Sequence, residues 1–307
     1  KGLNRHLKKV CSQNSIKKVK IHEMKNKTIV IDSSIFIYRF LEKDKLMECM
    51  FRMATSFLQN DITPIYIFDS KPEEQKNNLV IKRTEKRKQA YLKYRELQKC
   101  MDNNTHTEEE EKDIQQQLRK WKIQSTRVTL EHLRQTKEIL QCMGIECYEA
   151  LYEADGLCAN FIRSKKAWAC MSDDMDMLAY GCDFIIREWN IYTQEGSLYN
   201  TDSICNDIGV KKTDLCSTLV LMGNDYGSSR FPIDTVLQWY ITYSENNSTN
   251  GFYQWLVEKE LITDENREKL QTVVNKYSEI ENVERKKKRK PDFNQLKNVC
   301  NQYYILI

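Results

Sequence analysis

Ala169-Cys170-Met171-Ser172-Asp173-Asp174-Met175-Asp176-Met177-Leu178 is an apolar run that closes on three carboxylates. Read as a strand that enters at residues 167–169 and ends in a loop, it has an uncharged body and an acidic tip. In open parallel sheets ligands gather at the carboxyl ends of strands. An Asp-Met-Asp step there aims two carboxylates from one loop at a common site, the usual supply of oxygen ligands for a hard divalent cation. The same residues also suit an acidic turn that caps the next helix, since Asp is favoured at turns and N-caps. On this stretch alone the two readings balance, and other acidic strand ends decide between them.

Such ends recur outward from this stretch. Residues 28–32, Thr-Ile-Val-Ile-Asp, form a buried-strand pattern ending on Asp32, with Ser33-Ser34 placed to cap a helix over 35–46. A second helix over 45–59 leads to the apolar strand 62–69, which ends on Asp69. Downstream, an amphipathic helix over 128–142 and a short strand over 145–148 precede Glu153 and Asp155 at the start of a helix that runs to about Lys165. The strand 184–187, a turn at 194–196, a strand and short helix over 199–209 and a helix over 214–222 bring the chain to Gly223-Asn224-Asp225-Tyr226-Gly227. Beyond it, helices are expected over 239–243 and 252–260, with a closing helix over 292–305. Lys1 to Met24 reads as a basic, helix-capable opening followed by a strand with alternating lysines, an ordinary solvated edge.

Composition changes sharply between Glu73 and Ser125, where Lys, Arg, Glu and Gln replace apolar residues. Lys82 to Lys88 is densely basic, Tyr91, Tyr94 and Trp121 are interleaved with charge, and residues 101–111 are polar enough for a turn. The pattern describes two charged helices that protrude from the body, whose bland equivalent is a solvated helical hairpin. The run Arg285 to Lys290 fits a phosphate-binding or nuclear-import patch as well as a solvated loop.

The whole chain bounds these readings. Its 307 residues suffice for one large domain or two small ones. The net charge of +4, from 48 basic and 44 acidic residues, says less than the segregation of those charges along the chain. Eleven scattered cysteines without a Cys-x-x-Cys pair argue against a zinc site or a disulfide framework and for reduced thiols in an intracellular protein. The chain lacks a signal-like apolar region and a run long enough to span a bilayer, so no membrane partner is expected. A preference for Lys, Asn and Ile over Gly, Ala and Pro points to an AT-rich genome of the kind large DNA viruses carry.

Carboxylates converging from several strand ends repel one another unless cations lie between them. Two metals about 3.5–4 Å apart can activate a water and steady the leaving oxygen of a phosphodiester in an in-line displacement. An all-oxygen donor set without His favours Mg²⁺, with Mn²⁺ able to substitute, over Zn²⁺. A basic helical arm beside such a site suits nucleic acid.

The segments Val30-Ile31-Asp32-Ser33-Ser34, Ile67-Phe68-Asp69-Ser70-Lys71-Pro72, Glu153-Ala154-Asp155, Ser172-Asp173-Asp174-Met175-Asp176 and Leu221-Met222-Gly223-Asn224-Asp225-Tyr226 resemble, in this order and spacing, the flap endonuclease family of structure-specific 5′ nucleases. Met143-Gly144-Ile145 matches as well. The resemblance implies an α/β, PIN-like fold, with a mostly parallel central sheet flanked by helices, a helical arch and a helical C-terminal region. It divides a single nuclease domain over 1–307 into an N-terminal region at 1–72, the arch at 73–127, an internal region at 128–227 and a DNA-binding C-terminal region at 228–307. By the same resemblance Asp32, Asp69, Glu153 and Asp155 hold one metal, and Asp174, Asp176 and Asp225 hold the second, with Asp155 able to bridge. Asp174 counts with Lys76 and Arg83 among the catalytic residues. Lys76 and Arg83 at the base of the arch steer the scissile phosphate, a task cations perform electrostatically. Tyr38 stacks on the terminal base, unless it is a core aromatic, and Lys120, Lys122 and Arg127 contact the strand from the arch.

The implied activity is hydrolysis of branched DNA or of single-stranded 5′ ends in replication, repair or recombination, by a monomer in the nucleus or, for a virus, at a cytoplasmic replication site. A 5′ exonuclease or RNase of related fold and a silent nucleic-acid-binding module are the competing readings. Two departures stand out. Asp155 replaces a longer Glu, which favours water-mediated coordination. The glycine-rich helix-hairpin-helix gives way to Gly227-Ser228-Ser229-Arg230-Phe231-Pro232-Ile233-Asp234, so duplex gripping is altered. A sliding-clamp motif is absent after the closing helix unless residues 295–303 are its relic, which leaves clamp recruitment open.

Overall fold

The strands that end on carboxylates lie side by side at the centre of the molecule. The computed structural model describes residues 2–70, 77–101, 107–223, 231–246, 250–279 and 290–305, with backbone alone for 77–80 and 108. Helix α1 (Leu3–Val10) and strand β1 (Ile16–Lys20) open the chain, which then enters the core as β2 (Thr28–Asp32). Helices α2 (Ser33–Leu41) and α3 (Leu46–Gln59) precede β3 (Thr63–Phe68), followed by the helical pair α4 (Asn77–Met101) and α5 (Glu108–Ser125). Next come α6 (Leu130–Cys142), β4 (Glu146–Glu149), α7 (Ala154–Arg163), β5 (Ala169–Met171), α8 (Asp176–Ala179), β6 (Phe184–Asn190) and β7 (Glu195–Asn200). The helices α9 (Thr201–Ile208), α10 (Leu215–Met222), α11 (Ile233–Glu245), α12 (Phe252–Glu258), α13 (Asp264–Ser278) and α14 (Phe293–Gln302) complete it.

The seven-stranded sheet has the order β1-β7-β6-β5-β2-β3-β4. β2, β3, β4, β5 and β6 pair in parallel, and β7 runs antiparallel to both its neighbours. The implied mostly parallel α/β architecture is therefore present. Both faces of the sheet are covered, which explains why its strands read as continuous apolar runs instead of alternating ones. Val30, Ile65 and Ile67 face one core with Leu157, Phe161 and Leu221. Ile29, Ile31, Tyr66 and Phe68 face the other with Met50 and Phe57.

Register carries this pattern to the site. Asp32 lies opposite Ile67, two residues before Asp69, and Ile31 lies opposite Met171, so Ser172 and the acidic loop follow beside Asp32. One edge of the sheet thus collects every described acidic strand end.

Several local expectations are corrected. The single helix expected over 35–46 is broken at residues 42–45, where Asp44 takes a left-handed φ of 54°, a conformation Asp tolerates better than most residues. Asp32, not Ser33 or Ser34, is the N-cap of α2, and its carboxylate accepts from the Ser34 amide. The turn expected at 194–196 falls earlier, because β7 already begins at Glu195. The helices expected over 239–243 and 252–260 belong to α11 and α12, whereas α13 lies in a stretch too charged to read. The two charged helices exist as α4 and α5 and pack chiefly on each other. Trp121 sits there under Lys93, whose Nζ is 4.5 Å from the ring centroid. No helix among the described residues is long and apolar enough to cross a membrane.

Because β2 is flanked on both sides and Ile31 is fully buried, Ile31→Ala should destabilise the fold by roughly 2–5 kcal/mol. Leu130, 85 % exposed, should change it by no more than about 0.5 kcal/mol on truncation to Ala. Urea unfolding of both variants measures the contrast, and equal losses would contradict the sheet order.

Candidate active site at the carboxyl edge of the sheet

The site is assembled by serines as much as by carboxylates. Asp32, buried at the tip of β2, accepts from the Ser34 amide on Oδ1 at 3.1 Å and from Ser172 Oγ on Oδ2 at 3.1 Å. Ser34 Oγ donates to Asp69 Oδ2 at 2.5 Å, and the Ala154 amide donates to Asp69 Oδ1 at 2.7 Å. The Ser70 amide ties the loop after β3 to the carbonyl of Tyr152 at 2.9 Å. That contact brings the Glu153 turn alongside Asp69. Glu153 is the N-cap residue of α7, yet its side chain makes no capping bond, and Asp155 lies in the first turn.

On the β5 side, the Asp174 amide donates to Ser172 Oγ at 3.2 Å, and the Asp176 amide donates to Asp174 Oδ1 at 2.9 Å. Asp174 therefore does hold the start of α8 with one oxygen, as the acidic-turn reading requires, while its charge also acts on Asp32 and Asp155. Asp173 behaves differently. It pairs with Arg39 and accepts from the Glu188 amide at 2.7 Å, which makes it a brace of the loop.

Electrostatics mark the centre of the cluster. Burial, then the neighbouring Asp69, push the Asp32 carboxyl up to about 7, against the bonds from Ser172 and Ser34. Burial pushes Asp155 well above the usual carboxylate range, and Asp32, Asp174 and Asp69 add to it. Asp32, Asp69, Asp155 and Asp174 are thus near enough to feel one another. The N-termini of α2 and α7 supply partial positive charge that offsets only part of this repulsion. Among the described residues, no three side chains of the His, Cys, Asp and Glu types close around a common point as a ready coordination shell.

A cavity of about 600 Å³ opens beside Asp174 and Asp176 and is also lined by Gly2, Asn4, Gly223 and Tyr277. The opening segment is therefore part of the site's wall, where the sequence suggested a plain solvated edge. Tyr277 Oη donates to Asp176 Oδ2 at 2.7 Å. Sequence reading missed Tyr277, Ser34 and Ser172 in these roles. For Ser172 a signal existed, a serine two residues before an aspartate at a strand end; for Tyr277 there was none.

The remaining expected site residues divide by location. Lys76 and Asp225 lie outside the described residues. Tyr38 is 39 % exposed on α2, which removes the alternative of a core aromatic. Arg83 is on the exposed surface of α4, and Lys120 and Lys122 are on α5. Lys122 pairs with Asp44, and Lys120 Nζ lies 5.2 Å from the Trp121 ring centroid. Arg127 is exposed in the connection to α6.

Comparison with known proteins places this arrangement. The family profile of the XPG N-terminal domain matches residues 1–90, and that of the XPG I-region matches residues 144–225. Flap endonuclease 1 of Entamoeba dispar is 29 % identical over 245 residues, covering 74 % of this chain and 62 % of the relative. Flap endonuclease 1 of Aedes aegypti is 28 % identical over 233 residues, covering 69 % and 58 %. The chain thus spans about three fifths of the length of these curated relatives. Among solved structures, the catalytic core of Rad2 in complex with DNA substrate superimposes with a TM-score of 0.62 at 19 % identity, covering 94 % of this chain and 91 % of that one. Flap endonuclease-1 from Methanococcus jannaschii gives 0.62 at 19 %, covering 94 % and 90 %. Human GEN1 in complex with Holliday junction DNA gives 0.62 at 16 %, covering 98 % and 72 %. With both XPG regions matched in order over more than half of its length, this chain belongs to the flap endonuclease family of nucleases.

Proposed function

We propose that the protein is a metal-dependent, structure-specific 5′ nuclease that hydrolyses phosphodiester bonds in branched DNA. One observation carries the reading: Asp32, Asp69, Asp155 and Asp174 crowd one edge of the sheet, where burial first and then their mutual repulsion raise the Asp32 and Asp155 carboxyls. Such crowding is unfavourable by itself and becomes favourable with a cation. The flap endonuclease relatives, the Rad2 core in complex with DNA substrate and GEN1 in complex with Holliday junction DNA support the same assignment.

The donor set fits the cation. The donors assigned here are all carboxylate oxygens, which suits two Mg²⁺ ions and allows Mn²⁺ in their place. We assign Asp32, Asp69, Glu153 and Asp155 to one ion and Asp174, Asp176 and Asp225 to the other. Bound there, the cations supply Lewis acidity toward a water and a leaving oxygen. The chain's own residues do the positioning. Ser34 and Ser172 fix the carboxylate faces through the bonds to Asp69 and Asp32. Lys76 and Arg83 hold the scissile phosphate, Tyr38 offers its exposed ring to a terminal base, and Lys120, Lys122 and Arg127 bind the strand along the α4–α5 hairpin. This division gives the arch at 73–127 the task of selecting single-stranded 5′ ends. The protein would act as a monomer wherever its DNA is replicated or repaired.

On a 5′-labelled flap in Mg²⁺, Asp32→Asn and Asp174→Asn should each lower the cleavage rate by at least about 100-fold, the scale expected when metal-held charge stabilisation is lost. Full activity in both variants would exclude this reading. Faster cutting of single-stranded RNA than of any branched DNA would favour the RNase alternative.

The metal-free protein also has a signature in stability. The folded state keeps a proton on Asp32 up to about pH 7, whereas the unfolded chain releases it near the ordinary value of 3.8. The native state therefore binds more protons across this window, and stability falls as pH rises through it. In chelator, the melting temperature of the wild type should drop between pH 4 and about 7, and Asp32→Asn should flatten the decline. Added Mg²⁺ should restore the melting temperature at pH 7.5. A profile identical in both proteins would contradict the crowding.

A further inference from the structure

Helix α13 delivers one side chain to Asp176, in the cavity that Asp174 also lines, from 101 residues away in sequence. Tyr277, in its last turn, is only 3 % exposed. Its ring meets that of Tyr180 edge to face, with centroids 4.8 Å apart at 76°. Its backbone is pinned as well: Arg163 Nη2 donates to the Tyr277 carbonyl at 2.5 Å and to the Tyr180 carbonyl at 2.6 Å. Arg163 Nε reaches the same Tyr180 carbonyl at 3.0 Å. Ring, main chain and helix are thus all held so that the hydroxyl meets Asp176 Oδ2 at 2.7 Å.

Packing alone does not explain a phenol aimed at a carboxylate in the wall of an acidic cavity. A donor on one oxygen stops the carboxylate from rotating and fixes the direction of its lone pairs. Hydrogen bonds to ionised acceptors are also shorter and stronger than neutral ones. Partners of this kind, one step removed from a metal, set ligand orientation and affinity.

We propose that Tyr277 is a positioning residue of the metal site: it orients Asp176 for its ion and makes completion of that half of the site depend on α13 being docked. The proposal rests on Asp176 being a ligand. α13 packs against α10 and α12, and its Leu270 and Val273 belong to the core shared with them. Displacement of the C-terminal helices would therefore withdraw a hydroxyl from Asp176 without touching the other carboxylates.

Tyr277→Phe keeps the ring and removes the donor. Two readouts are taken on the full chain: the Mn²⁺ concentration for half-maximal flap cleavage, and the Mn²⁺-induced rise in melting temperature. The variant should need on the order of 10-fold more Mn²⁺ in both. Its KM for DNA should be unchanged, and its rate should recover at saturating metal. In an Asp176→Asn background, the same substitution should add nothing to the metal requirement read by melting temperature. An unchanged metal requirement, or an equal further loss in the Asp176→Asn background, would overturn the inference while leaving the site reading intact. A wild type that shows neither metal-dependent cleavage nor metal-dependent stabilisation would overturn the site reading, and this inference with it.

Discussion

Electrostatic repulsion among carboxylates at the end of a buried parallel sheet is the constraint around which this molecule is arranged. Asp32 and Asp155 are desolvated, and each feels Asp69 and Asp174. A chain that merely needed acidic turns would let them point apart into solvent. Here hydrogen bonds from Ser34, Ser172 and the Ala154 amide hold Asp32 and Asp69 in place. The structure accepts a standing cost of folding that, in the proposed reading, bound cations would compensate, as the DNA backbone would compensate the basic hairpin.

Each neighbouring element can be understood as supporting that edge. The right register of β2, β3 and β5 is needed to bring Asp32, Asp69 and the acidic loop together, and burial on both faces enforces it, because a one-residue slip would exchange the two cores. Helices α2 and α7 begin at the site and turn their N-termini toward it. The brace from Arg39 and the Glu188 amide to Asp173 keeps the β5 loop from folding back. The α4–α5 hairpin follows β3, and with it the Asp69 strand end, in the order of the chain. In the proposed reading this places the substrate's single strand where its phosphates meet the carboxylate-held ions.

What could be read from the sequence follows from how local each signal is. The acidic strand ends were legible because a buried strand is an uninterrupted apolar run, and a carboxylate at its tip breaks the pattern visibly. The hairpin was legible from its charge. The break after α2 was not, because it depends on Asp44 adopting a left-handed backbone, which its neighbours do not announce. Helix α13 was not legible either. Its buried positions Leu270, Val273 and Tyr277 make only a thin stripe in a highly charged segment. The bond from Tyr277 to Asp176 depends on the packing of α10, α12 and α13, and no local pattern encodes it. Serine roles fell between these cases: Ser33 and Ser34 were placed correctly at a helix start, but Asp32 does the capping while Ser34 reaches across to Asp69.

The central claim is that these carboxylates form one site completed by divalent cations. Anomalous diffraction from crystals soaked in Mn²⁺ tests it without reference to any substrate. The account predicts manganese peaks at the carboxyl edge of the sheet, one against Asp32, Asp69 and Asp155 and one against Asp174 and Asp176, both lost in Asp155→Ala crystals or reduced to one. Manganese found only elsewhere on the surface, with the acidic edge bare at saturating concentration, would contradict it.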